Sequence, residues 1–226
     1  MTFKKVLIVS AVLAAAFGAQ AQQSGSFGVT GTVTTQPCSI TLSGGGVADF
    51  GAQQKSAVQA MPIVGSGAAY QLTTQHPIPI TVQCTAPTRF VMGFIDNKAA
   101  ARTPLGTVDD VLQFGMTDGA GTATIGGYYV NLASVTADGA APAGFLHAAY
   151  GSTAWGTTNA GTTHNNYVSN QWTSGVIKTA GVTVPDPVTT LGGNLTINAV
   201  LNKAYVDAAT APITLSGSGT VTIYYI

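Results

Sequence analysis

Apolar side chains alternate with polar or small ones in run after run of this chain. Ile78, Ile80 and Val82 alternate into Cys84. Leu195, Ile197, Ala199 and Leu201 do the same within "NLTINAVLNKAY", and Val221, Ile223 and Tyr225 repeat it in the closing "GSGTVTIYYI". A two-residue period puts one set of side chains on one face of a strand and the other set on the opposite face. Composition agrees: Glu is absent, helix formers other than Ala are scarce, and Thr, Val, Ile and Tyr suit a pleated, half-buried surface. The sequence predicts an all-β domain with many turns.

The beginning predicts export. Lys4 and Lys5 precede an uncharged apolar run from Val6 to Phe17, and "GAQAQQ" offers Ala19 and Ala21 in a small-x-small cleavage pattern. That defines a signal peptide over residues 1–21, too short for a membrane span. With Lys4 and Lys5 removed, six cationic side chains face eight Asp, a net charge of −2. Such a balance gives no electrostatic case for nucleic acid or an anionic membrane. Two cysteines remain, Cys38 and Cys84, and in an oxidising compartment an even count predicts one disulfide.

Along the chain, "CSITL", "YQLTT", "IPITVQC" and "RFVMGFID" read as strands, with Pro77 and Pro79 marking a strand start or an edge. "VLQFGMTDGAGTATIGGYYVNLASVTADG" reads as strand, Gly-rich turn and strand, with "DG" and "GG" as turn signals. Residues 139–175 are loop-like or short-strand material, and "ITLSGSGTVTIYY" reads as a last hairpin. About seven to nine short strands in one domain point to an immunoglobulin-like β-sandwich.

"FGVTGTVTTQPCSI" resembles the N-terminal signature of chaperone–usher pilins, with Gly31 and Cys38 at the signature's spacing. "VADFG", with Phe50 before Gly51, the second cysteine closing an apolar strand, and a final strand with penultimate Tyr225 are similar to the same family. The stretches "CTAPTRFVMGFIDNKA" and "QFGMTDGAGTATIGGYYV" resemble fimbrial-like exported proteins of Gram-negative bacteria. The chain departs from a typical shaft subunit in length, through extra residues in the middle.

The resemblance implies an incomplete, pilin-type sandwich over residues 36–226 whose last strand borders an open apolar groove. A periplasmic chaperone and an outer-membrane usher would be its partners. The groove, lined by Val221, Ile223 and Tyr225, would take the N-terminal extension (residues 22–35) of a neighbouring fimbrial subunit. Phe27, Val29 and Val33 would be its plugs, and Gly31 would sit where backbones approach closely. Two alternatives stay open. Phe27–Val33 would alternatively be an ordinary first strand, giving a self-complemented exported domain. The aromatic and amide residues between Tyr150 and Trp172, with Trp155 and Trp172 foremost, would suit a host or matrix glycan.

GxSxG, HExxH, CxxC, Walker and Rossmann patterns are absent from the sequence. His76, His147 and His164 are widely spaced and read as surface or loop residues. Asp109 and Asp110, adjacent on a chain, point apart if extended. The expectation is a non-enzymatic protein with no cofactor or metal.

Overall fold

The computed structural model describes residues 38–105, 112–159, 168–169 and 171–226. The expected signal peptide (1–21), the expected 22–35 extension with Phe27, Val29, Gly31 and Val33, the pair Asp109–Asp110, and His164 all lie outside the described residues.

The alternation at Ile78, Ile80, Val82 and Cys84 builds a long strand. All four side chains are 7% exposed or less, and the residues between them face solvent. This strand, β4 (His76–Thr88), lies between β1 (Cys38–Leu42) and β11 (Val188–Asn202). Pro77 and Pro79 pair with Thr196 and Asn194 of β11, while β1 reaches only to Ile80. The prolines therefore stand where β4 has one free edge and no second ladder to break.

Further strands are β2 (Ile63–Val64), β3 (Ala69–Gln71), β5 (Phe90–Asp96), β6 (Phe114–Thr117), β7 (Thr124–Ala137), β8 (Gly144–Ala149), β9 (Gly156–Asn159), β10 (Trp172–Ile177), β12 (Ser216–Gly217) and β13 (Gly219–Tyr225). They form two antiparallel sheets. The first runs β1-β4-β11-β7-β6-β12, with β3 beside β11 and β2 beside β3. The second runs β13-β5-β10-β8-β9. The facing sides bury one core. Ile80, Val82, Leu132 and Leu191 come from the first sheet, and Phe90, Met92, Phe94, Phe145 and Val176 from the second. The protein is a nearly all-β sandwich with one disulfide.

Cys38 and Cys84 are direct partners in the β1–β4 register and form that disulfide, with a Cα–Cα distance of 4.0 Å.

Three local readings need correction, and a fourth, loop-like or short-strand material over residues 139–175, resolves to short strands. Residues 139–175 supply β8, β9 and the start of β10, and β8 and β10 lie inside the second sheet. Their alternation is hidden because Phe145, Leu146 and Ala148 are all buried, so apolar residues occupy both faces. The "GG" at Gly126–Gly127 is not a turn but part of β7. A Cβ on Gly126 would stand 2.1 Å from the Val200 carbonyl oxygen, and one on Gly127 2.2 Å from Gln113 Nε2. "NLTINAVLNKAY" is not one strand. It ends at Asn202, whose side chain accepts from the Tyr205 N–H and caps helix α2 (Lys203–Ala208). Last, "ITLSGSGTVTIYY" is not a hairpin. β12 pairs with β6 in the first sheet and β13 with β5 in the second, so the chain changes sheets at Ser218.

The crossing is supported from below. The Asp96 carboxylate, 6% exposed, accepts from the Lys98 and Gly115 N–H groups at 2.9 and 2.8 Å. The Lys98 ammonium donates to Thr117 Oγ1 and Ser216 Oγ, each at 2.7 Å. Gly115 allows this, because a Cβ there would stand 2.1 Å from the Lys98 carbonyl oxygen. Gly115→Ala is therefore expected to cost about 1–3 kcal/mol, by forcing backbone apart. Urea unfolding checks it: an unchanged midpoint would show that the loop yields freely.

Candidate functional site: an open crevice between the sheet edges

β13 is the edge strand of the second sheet, and β5 is its one paired neighbour among the described residues. The Ile226 N–H donates to the Arg89 carbonyl, and the Ser218 carbonyl accepts from the Asn97 N–H. Even-numbered backbone groups thus turn to β5. The odd-numbered groups of Val221, Ile223 and Tyr225 turn outward, by the alternation of an antiparallel ladder.

Among the described residues β1 is the edge of the first sheet, and its outer side faces the same opening. The Cys38 N–H donates to Tyr225 Oη at 2.8 Å, tying the start of β1 to the end of β13. By the same alternation, the N–H and C=O groups of Ile40 and Leu42 point out of the first sheet on that side.

Beyond the Cys38–Tyr225 contact the two strands part over an apolar cavity of about 410 Å³. Leu42 and Val47 wall it on the β1 side, Val221 on the β13 side, and Phe94, Phe114 and Tyr128 form its floor. Burial pushes the Tyr128 hydroxyl pKa well up, and the nearby Asp96 carboxylate adds to the rise, so the ring stays neutral beneath the cavity. Phe50, held edge-to-face on the His76 ring at 4.4 Å, lines this cavity and a second of about 700 Å³ bounded by Val58, Leu201, Val206 and Ile213.

The sequence-derived groove residues are placed as follows. Val221 and Ile223 face the core but are only half-buried. Tyr225, expected to be buried, is 46% exposed, and no strand among the described residues pairs with the outer side of β13. Its neighbour Tyr224 faces the other way and meets Tyr150 edge-to-face at 5.8 Å. Both rings cross Gly93, where a Cβ would stand 2.6 Å from Tyr224 Cε2. The Tyr150 hydroxyl donates to the Phe94 carbonyl at 3.1 Å, and desolvation raises its pKa. Tyr150 thus braces the edge strand from outside.

The two tryptophans are not brought together. Trp155 is half-buried between β8 and β9. Trp172 packs against a smaller cluster of Ala69, Leu105, Leu112, Tyr129 and Val200, with His147 edge-on at 6.1 Å. His147, expected on the surface or in a loop, lies in β8, its Nδ1 2.8 Å from Ser174 Oγ. His76, also expected at the surface or in a loop, begins β4 and supports Phe50, with Nε2 buried and without a partner. The cavity floor, Phe94, Phe114 and Tyr128, was missed by sequence reasoning. The available signal was aromatic residues in strand runs flanked by glycine, at Gly93, Gly115 and Gly127.

The class that fold and site define is a two-sheet, disulfide-bonded β domain in which, among the described residues, an edge strand of each sheet borders one apolar crevice. Residues 27–137 match a family described as "Protein of unknown function (DUF1120)". The match spans both cysteines and every strand through β7. No curated protein and no solved structure matches the chain. No helix among the described residues is long and apolar enough to cross a membrane.

Proposed function

We propose that this chain is an exported, structural subunit of fimbrial type, assembled at the cell surface by accepting a β-strand from another polypeptide. The observation that carries the reading is the crevice: among the described residues β1 and β13 are the edge strands of their sheets, and they flank an apolar cavity of about 410 Å³. Unpaired edges beside exposed core favour strand addition. A periplasmic chaperone would hold the crevice first, and an outer-membrane usher would pass it to the extension of the next subunit. Burying three plugs such as Phe27, Val29 and Val33 would give roughly 4.5–9 kcal/mol gross, at ~1.5–3 each. The disulfide supports residence in an oxidising compartment. Glycan binding by Trp155 and Trp172 has less support, since Trp172 turns its indole N–H into the protein interior.

The test is removal of residues 22–35 in a chain co-expressed with its cognate chaperone and usher. Full-length protein is expected in surface polymers, and the shortened chain only in chaperone complexes. Equal polymer from both would sink the reading.

A further inference from the structure

We propose that the outer face of the first sheet is a contact between copies of this chain, through which assembled polymers associate side by side. The inference rests on the strand-accepting reading of the crevice. The face itself lies on the solvent side of the sheet, away from the core, and uses none of the crevice lining.

The first argument is charge. β1, β4, β7 and β11 contain no Lys, Arg, Asp or Glu at any position. Every charged side chain among the described residues lies in a connection, in a short helix or in β5. A solvent face normally carries interspersed charge, which keeps copies of a protein apart. Here that guard is missing over four neighbouring strands. Without cations the face offers nothing to a phosphate backbone or an anionic bilayer. None of the exposed large apolar residues lies on these strands, so a hydrophobic partner finds nothing there either.

The second argument is register. Thr41, Thr81, Gly192 and Thr136 form one row across β1, β4, β11 and β7. Ser39–Gln83–Thr190 and Pro79–Asn194–Ala133 form the rows beside it. Ile80 and Val82, which alternate with these positions on β4, are buried in the core, so the rows face out. Thr190 Oγ1 donates to Gln83 Oε1 at 3.0 Å. The side chains of Thr41, Thr81, Thr136 and Asn194 make no hydrogen bond among the described residues. Each carries both a donor and an acceptor. Such a face complements itself: two copies related by a twofold axis bring hydrogen-bonding groups together from both sides, with no like charges opposed.

The third argument is size. Strands ~4.8 Å apart and the ~20 Å of β4 from Pro77 to Gln83 give a footprint of about 300 Å². A stable pair buries ~800 Å² a side. Single subunits therefore meet only weakly through this face. A polymer repeats it along its length, and the contacts add by avidity. The occupant that fits is the same face on a neighbouring polymer.

The experiment images surface polymers of the full chain by negative-stain microscopy. The parent is compared with Thr81→Lys/Thr136→Lys, and with Ala100→Lys/Ala120→Lys, which adds the same charge at exposed residues off the face. Parent and control polymers are expected in side-by-side bundles. The Thr81→Lys/Thr136→Lys chain should make as much polymer, with at least ~10-fold less of it bundled, because like charges set opposite each other repel. Mixing these polymers with those of Thr81→Asp/Thr136→Asp should restore bundling. Parent polymers that run singly, or Lys-variant polymers that bundle like the parent, would overturn the inference while leaving strand acceptance standing. A mixture that stays dispersed would overturn self-recognition and assign the face to another molecule, such as a neutral polysaccharide. Parent chains that form no polymer would sink the strand-accepting reading, and light scattering from the concentrated, purified, processed chain then decides the face alone. The parent should attract itself as the control does and more than the Thr81→Lys/Thr136→Lys chain. Equal scattering from all three would overturn the contact.

Discussion

Val29→Asp is expected to abolish surface polymer while leaving the sandwich folded in its chaperone complex. As a donor strand, the segment carrying Val29 would enter a crevice whose lining includes Leu42, Phe94, Phe114 and Val221. A carboxylate there has no cation to meet: the lining is apolar side chains, a few hydroxyls and backbone. Burying an unpaired charge costs several kcal/mol, and each 1.4 kcal/mol is tenfold in an equilibrium, so occupancy by the strand should fall on the order of a hundredfold or more. Ile223→Asp places the same charge on β13 itself, against the core. It should damage the body and its chaperone complex as well. Size analysis of complexes and polymers from the co-expressing cell separates the two. Wild-type polymer from Val29→Asp would show that this segment is not the inserted strand.

Loss of the disulfide should have the largest effect on stability. The bridge closes a loop with a sequence separation of 46. Chain entropy for such a loop gives about 4 kcal/mol, and removal of native disulfides typically costs ~2–5. Against total stabilities of ~5–15 kcal/mol, that is a large share. The double variant Cys38→Ser, Cys84→Ser is expected to melt roughly 8–16 °C lower, at ~2–4 °C per kcal/mol for a domain of this size. The cost extends to the site, because Cys38 also donates its N–H to Tyr225 and so sets the closed end of the crevice. A melting temperature within a degree or two of the parent would mean that the β1–β4 ladder alone holds the register.

The parts legible in the sequence were those where one face is buried and the other wet. Ile78 to Cys84 alternates cleanly because β4 has a core side and a solvent side. Asp138–Gly139 reads as a turn and is one, with positive φ at both residues. Legibility fails where both faces are covered. Phe145, Leu146 and Ala148 of β8 are buried on either side, so their period disappears and only a Gly- and Ala-rich stretch remains. It fails again where glycine serves close approach rather than a turn, as at Gly126 and Gly127 within β7. Helix α2 was hidden behind the strand pattern of Leu195–Leu201. Its signals were the capping Asn202 and the four-residue spacing of Lys203 and Asp207, which form an ion pair. The crevice was legible from one side only. The alternation of Val221 and Ile223 marked a strand with an apolar face, but the cavity floor comes from β5, β6 and β7, and only the folded topology brings those strands under it.

The change of sheet at Ser218 has a kinetic consequence. β13 finds its place only by pairing Phe90 with Tyr225 and by reaching Cys38, 187 residues earlier in the chain. Contacts of such long range form slowly, since loop closure must come before the gain from pairing. If the chain is exported N-terminus first, as proposed, β1, β4 and β5 would emerge while the edge strand of the second sheet was still in transit. During that interval the Phe94 and Phe114 rings have no lid on this side, and a binding protein that recognises the unfinished edge would meet its target before folding ends.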